Sequence, residues 1–388
     1  MAVLRLGSTR RVIGLCAGAV LAIVALAVLA GAALGGRGEA PPQRPLANAV
    51  QGALSAPAVP GIHARVTFKT NLFGGATTDM SSALLKGGSG RLWATKDKLR
   101  LELQSDNGDA QIVVDGGKGY VYDGPSDTAY TFTLPARSGA EKSKSGPNGP
   151  PSLSDIAARL AGARQNASIS GATPGVVAGE PAYTVRVTPR EHGGLLGAAE
   201  LAWDATRGVP LRIALYARGQ TTPTVEIAVT DISFGSVGDS VFAIPPPAGA
   251  KKVDLTGGGS AAGTSGHDQA DTKSSFTANA PASLSGRARR EVKPHGHGAI
   301  VLYGKGLDTI VVFERKAGDH GAQPAPAPKQ NGDGQQPLEL PSVSINGAKA
   351  TALGTPLGGF VSFERGGVAY TVAGSQPLSV LQDAARGL

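Results

Sequence analysis

Between Gly90 and Pro135, apolar and polar residues alternate with a period of two in five short segments: 90–95, 98–104, 110–115, 120–123 and 128–135. Asp, Asn, Gly and Lys separate them, and the spacing of roughly 8–12 residues is that of an antiparallel meander. Leu99, Leu101 and Leu103 share one face of their strand, and Tyr130, Phe132 and Leu134 share one face of theirs. Arg100, Glu102, Thr131 and Thr133 lie between them, so each strand is wet on one side only. Such a sheet needs a cover for its apolar side: a second sheet, a helix or a bound ligand.

The same pattern continues on both sides. Apolar residues at 46, 49, 50, 53 and 54 have helical spacing, with Pro45 in the first turn and the Pro57 and Pro60 region closing the helix. A strand follows from Ile62. After a Lys/Ser/Gly/Pro loop at 141–151, Ser152 or Ser154 caps a short amphipathic helix. Four more strands are predicted at 182–188, 200–204, 210–217 and 224–234, with their apolar residues on odd positions. This gives nine or ten antiparallel strands with two helices, closed by the phrase Val241-Phe-Ala-Ile-Pro-Pro-Pro-Ala-Gly249.

Beyond it the composition changes. Residues 256–285 are rich in Gly, Ser, Ala and Thr and read as a flexible tether. A hairpin around Gly304–Gly306 follows, then a Gly/Pro/Gln/Ala loop at 317–337. Two strands flank Asn346-Gly347, a type I′ turn signal. Another hairpin spans 359–373, and a helix begins at Pro377. The expected organisation is an export segment at 1–41, a half-barrel domain at 42–250, a linker at 251–287 and a small α+β domain at 288–388.

The export segment rests on Arg5, Arg10 and Arg11 followed by an uncharged run from Val12 to Leu34, long enough to span a bilayer. The basic residues place the N-terminus inside and the remainder outside. The run acts as a signal anchor, or as a signal peptide if cleaved after the small residues at 30–36. Cys16 is the only cysteine and lies inside this run, which excludes disulfides, thiol catalysis and Cys-based metal sites downstream. Leu15 before it is not a small residue, which argues against lipidation.

With 37 basic and 29 acidic residues the formal charge is +8, but the basic residues are scattered. Aromatic residues make only 5% of the chain, so neither a basic stripe nor a stacking platform for nucleic acid is present. No phosphate-binding Gly-Lys-Ser/Thr loop, dinucleotide fingerprint or His-Glu-x-x-His occurs. Gly238-Asp-Ser-Val241 lacks the strand-turn-helix context of a nucleophile elbow and reads as a turn. His295 and His297 make an incomplete metal site. Asp106, Asp109, Asp115, Asp123 and Asp127 are explained as turn formers. No cofactor and no metal are expected, and an enzyme is not.

The order helix, strand, Gly90-Arg-Leu-Trp, Lys98-Leu-Arg-Leu-Glu, Val114-Asp-Gly-Gly-Lys-Gly-Tyr-Val-Tyr122, Tyr130-Thr-Phe-Thr-Leu-Pro135 and Phe242-Ala-Ile-Pro-Pro-Pro resembles the LolA/RseB superfamily over about 200 residues. The stretches Val301–Phe313 and Gly367–Pro377 are similar to the small C-terminal domain of RseB-like regulators. The resemblance implies a mainly β (α+β) chain: a LolA-like antiparallel half-barrel with covering helices over an apolar hollow, and a small α+β domain. It implies binding of lipid or lipoprotein acyl chains. As partner it implies a membrane-bound anti-sigma factor or another membrane protein outside the cytoplasmic membrane. A soluble lipoprotein or lipid carrier and an interaction module without ligand stand as alternatives. The candidate lining is Phe68, Trp93, Leu101 and Leu103, then Tyr120, Tyr122, Tyr130 and Phe132, then Tyr183, Trp203, Ile213 and Leu215. Which face of each strand points inward is not set by alternation alone.

Overall fold

The computed structural model describes residues 38–73, 83–106, 108–134, 152–190, 194–254, 276–295, 298–318 and 341–388. The apolar run 12–34, the loop 141–151, the segment 319–337, His297 and most of the expected tether lie outside them.

In chain order the first unit consists of α1 (Leu46–Ser55), β1 (Ile62–Thr70), α2 (Ala83–Lys86), β2 (Gly87–Ala94), β3 (Lys98–Gln104), β4 (Ala110–Asp115), β5 (Lys118–Asp123) and β6 (Thr128–Thr133). Next come α3 (Leu153–Asn166), β7 (Ala167–Ile169), β8 (Thr173–Val177), β9 (Glu180–Pro189), β10 (Leu196–Asp204), β11 (Pro210–Ala217), β12 (Val225–Phe234) and β13 (Lys251–Asp254). The strands form one sheet in the order β13-β6-β5-β4-β3-β2-β1-β12-β11-β10-β9-β7, with β8 also paired to β9. Every pairing is antiparallel except β13 with β6. The predicted meander is present as β2 to β6, joined through β1 to a second run of antiparallel strands.

Local chemistry accounts for these elements. The tight β4–β5 turn places Gly116 and Gly117 at φ 57° and 83°, the left-handed pair a type I′ turn requires. Ser152 caps α3: its hydroxyl accepts the Asp155 N–H while the Asp155 carboxylate receives the Ser152 N–H, a reciprocal capping box. At Gly90 the backbones of β2 and β3 approach so closely that a Cβ would lie 1.7 Å from the Glu102 carbonyl oxygen.

The segment after β12 crosses the outer face of the sheet. Asp239–Val241 is a 3-10 turn, as the sequence reading of that phrase expects. Lys98 holds Asp239 at 2.9 Å, Arg100 donates to the Val241 carbonyl at 3.1 Å, and Phe242 is buried. The prolines at 245–247 then lead to β13 on the edge of β6. The expected boundary at 250 therefore shifts: 251–254 is strand, not linker.

The second unit contains β14 (Ser283–Leu284), β15 (Arg287–His295), β16 (Gly298–Tyr303), β17 (Ile310–Lys316), β18 (Ser342–Ile345), β19 (Ala348–Thr355), β20 (Gly358–Arg365), β21 (Val368–Gly374) and α4 (Leu378–Arg386). Its sheet runs β14-β15-β16-β17-β21-β20-β19-β18. Leu381, Ala384 and Ala385 of α4 pack on Val301, Ile310, Val361 and Val372 of one face. Asn346 and Gly347 have φ 47° and 83°, the turn their dipeptide predicts. This unit also begins earlier than expected. Asn279 donates its N–H to buried Glu314 at 2.7 Å and its side-chain amide to the Leu388 carbonyl at 2.6 Å, and Ala278 and Ala280 pack on the core. Residues 278–287 are therefore docked on the second unit.

Gly90→Ala is expected to cost about 1–3 kcal/mol by overpacking β2 against β3. Gly52→Ala, where a Cβ on α1 meets nothing within 4 Å, should instead stabilise by about 0.5–1 kcal/mol. Urea unfolding of the two variants checks both signs.

Candidate ligand-binding face

Cross-strand register decides which side chains share a side of the first sheet. Leu101 pairs with Leu92 and with Ile112, Ile112 with Val121, and Val121 with Tyr130. On the other flank Phe68 pairs with Ile227, Ile227 with Ile213, and Ile213 with Leu201. These rows make one continuous apolar inner face.

Two sets of elements cover it. Over β9 and β10, α1 and α3 supply Leu46, Ala49, Val50, Ala53 and Leu160, which enclose Tyr183 and Trp203. The two rings stand 6.1 Å apart and tilted by 44°, and the Tyr183 hydroxyl donates to the Pro42 carbonyl at 2.6 Å. The Trp203 indole N–H is buried with no hydrogen-bond partner among the described residues. Over β1 to β6 the described cover is thinner: Ala83 and Leu84 of α2, with Val59, Leu72, Leu134, Val177 and Ala178 at the margins, and Leu357 from the second unit. Beneath it Leu101, Leu103, Ile112 and Val121 are 0–1% exposed. The face is closed and filled.

Phe68, Leu101, Leu103, Tyr130, Phe132, Ile213 and Leu215 are brought together on this inner face. Tyr183 and Trp203 share its side of the sheet but belong to the helix-covered end. The remaining three are corrected: Trp93, Tyr120 and Tyr122 stand on the outer face. Trp93 pairs with Arg100, not with a leucine, and the Arg91 and Arg100 guanidinium groups lie 5.2 and 5.1 Å from its ring centroid. The Tyr120 hydroxyl lies 2.8 Å from Gln111 Oε1 and 3.0 Å from the Ile244 carbonyl under the proline strap, and burial pushes its pKa up to about 12. Tyr122 donates to Asp127 at 2.9 Å across the β5–β6 turn. Aromatic rings with polar tips suit an outer face where charges and carbonyls supply partners.

Sequence reasoning missed Leu84, Ile112, Val121 and Ile227. The last three were legible as alternation continued through β4, β5 and β12. Leu84 lies in an isolated Ala-Leu-Leu triplet on a helix of only four residues, too short to show a helical period.

The outer face of β9 to β12 carries charge instead. Glu200 accepts from Arg186 at 2.6 Å, from Arg212 at 2.8 Å and from the Tyr216 hydroxyl at 2.7 Å, while Arg212 also reaches Glu226. The Arg186 guanidinium lies 4.4 Å from the Tyr216 ring centroid. Among the described residues no group of three or more His, Cys, Asp or Glu side chains could hold a metal ion. A cleft of about 350 Å³ opens between the units, lined by Asn71, Arg218, Thr222, Thr224 and Pro356 among others.

The geometry defines a class: a curled antiparallel sheet whose apolar side is closed by helices, followed by a small α+β unit. No family model matches the chain, and no curated protein does. Among solved structures, the chain is similar to MucB in complex with MucA(peri), at 16% identity over 84% of this chain and 91% of that one, with a TM-score of 0.39. It is similar at 17% identity to the MucA/MucB complex of Pseudomonas aeruginosa, over 88% of this chain and 94% of that one, with a TM-score of 0.39. A LolA superfamily protein, NE2245 from Nitrosomonas europaea, matches at 12% identity over 52% of this chain and 98% of its own, with a TM-score of 0.22. The likeness is one of fold.

Burial works to raise the Glu200 pKa, but hydrogen bonds from Arg212, Tyr216 and Arg186 outweigh it and bring it from 4.5 down to about 2. A carboxylate whose folded pKa lies below its unfolded one adds stability above the unfolded value and loses it as pH falls through the folded one. Unfolding free energy is therefore expected to drop between pH 4.5 and about 2. Glu200→Gln should flatten that interval in urea unfolding at stepped pH.

Proposed function

We propose that this is an exported, non-enzymatic binding protein whose inner face accepts the acyl chain of a lipid or lipoprotein, as an envelope sensor or regulator. The observation that carries the reading is the asymmetry of the cover. One end of the apolar face lies under two regular helices, whereas over β1 to β6 the only described helix is the four-residue α2. Unseating Leu84 costs about 2–3 kcal/mol of apolar burial, which three or four methylenes, at about 0.8 kcal/mol each, offset. A longer chain gains beyond that.

The partner that the sequence resemblance implies is a membrane-bound anti-sigma factor or another membrane protein. Residues 12–34 would hold the chain at the outer side of the cytoplasmic membrane, or release it if cleaved. A cleaved, soluble form would suit a lipoprotein carrier better than a sensor, because a carrier must diffuse. A second reading, an interaction module without ligand, is favoured by one observation: the inner face is already closed, with Leu101 and Val121 at 0% exposure.

Native mass spectrometry with lipid extraction, followed by titration with fatty acids of increasing length, separates the readings. Acyl binding predicts uptake that tightens by up to about fourfold per added methylene, the equivalent of 0.8 kcal/mol. Phe132→Asp on the margin of the inner face should abolish it, and Trp93→Ala on the outer face should leave it intact. No co-purifying lipid and no uptake at any length would leave the interaction module.

A further inference from the structure

We propose that α2 couples the inner face of the first sheet to the docking of the second unit, so that a bound acyl chain and the docked arrangement exclude one another. The proposal rests on the acyl-binding reading above and adds its regulation. Two consecutive residues carry it. Leu84, 1% exposed, packs into the inner-face cluster with Ala83, whereas Leu85, 5% exposed, packs on Phe360 of the second unit, with Phe73, Leu353 and Ala373 around them. Successive residues on a helix point about 100° apart, so this short element has one side in each unit.

Phe360 pairs with Leu353 on one strand and with Ala373 on the other, so Leu85 meets a cross-strand row. That row lies on the sheet face opposite α4, because Val361, the next residue, packs into the α4-covered core. Leu85 is thus the apolar cover for a face that the second unit's own helix does not reach.

A second contact repeats the arrangement. Leu357, in the turn between β19 and β20, packs against the same inner-face cluster as Leu84. Its carbonyl accepts from the Ser375 hydroxyl at 2.8 Å. That hydroxyl oxygen in turn accepts the N–H groups of Leu195 at 3.2 Å and Leu196 at 3.3 Å, and Leu195 N–H also reaches the Ser375 carbonyl at 2.7 Å. Gly194 permits this approach, since a Cβ there would lie 2.9 Å from the Leu307 carbonyl oxygen. Leu84 and Leu357, two of the side chains that cover the inner face, are thus tied to the seam between the units. A chain of methylenes entering beneath them displaces Leu84 and Leu357, and with them Leu85 from Phe360 and the turn from Ser375.

The test uses the full chain in phosphatidylcholine nanodiscs, with Cys16→Ser and spin labels on Ser240→Cys and Glu364→Cys. Saturation with dansyl-undecanoate, corrected for empty nanodiscs, is expected to lengthen and broaden the distance between the labels. Phe360→Ser and Leu85→Ser, which weaken docking without touching Leu84, are expected to bind the probe at least fivefold more tightly. An unchanged label distance at saturation, or unchanged affinity in both folded variants, overturns the coupling and leaves acyl binding standing. No probe uptake by any form overturns acyl binding and the coupling with it. Should either variant fail to fold, the distance measurement on the parent decides.

Discussion

Everything in the first unit follows from one constraint: a long curled sheet with a single apolar side must have that side kept from water. The hydrophobic return on burying a leucine is about 1.5–3 kcal/mol, so a bare row through Leu92, Leu101, Ile112, Val121 and Tyr130 would be an aggregation surface. The chain meets the constraint unevenly. At the β9–β10 end the cover is intrinsic, two helices packed on each other and on Tyr183 and Trp203. Over the meander it is borrowed, from four helical residues, loop side chains and a turn of the second unit.

The outer side shows what the opposite solution looks like. There Arg186, Glu200, Arg212 and Glu226 form a ladder of ion pairs, and the 239–250 strap lies against Arg100 and Tyr120. These groups are half-buried, paired and hydrogen-bonded to one another rather than left bare on the surface. The strap also ends an edge problem: by laying β13 beside β6 it caps the free side of the meander with a short strand of Lys, Lys, Val and Asp.

How much of this was legible depended on the physical signal each residue gave. Alternation located the meander and the strands from β9 to β12, and the Asn346-Gly347 turn announced its left-handed geometry. Alternation could not relate one strand's parity to the next. Trp93, Tyr120 and Tyr122 were therefore grouped with the leucines, although Arg100 and Gln111 are their actual neighbours. Strands without alternation escaped notice: β8 contains Pro174 and Gly175, and β15 reads Arg-Ala-Arg-Arg-Glu-Val-Lys-Pro-His. The consecutive leucines Leu84 and Leu85 of α2 were invisible for a different reason. A four-residue helix has no period, and its position is set by two surfaces that no local pattern encodes.

That last element also bears on how a filled interior fits the proposed acyl binding. A protein that holds an apolar ligand must hide the same face when empty, and the cover that yields first is the one with least stability of its own. α3 has a capping box and 14 residues; α2 has four described residues. Helix formation is unfavourable at that length, so α2 leans on tertiary packing, with Leu84 on one side and Leu85 on the other. α1 and α3, by contrast, pack on each other as well as on the sheet. Under the proposed acyl binding, the inner face would open where its cover costs least to move, at α2 and the turn of the second unit where the two units meet.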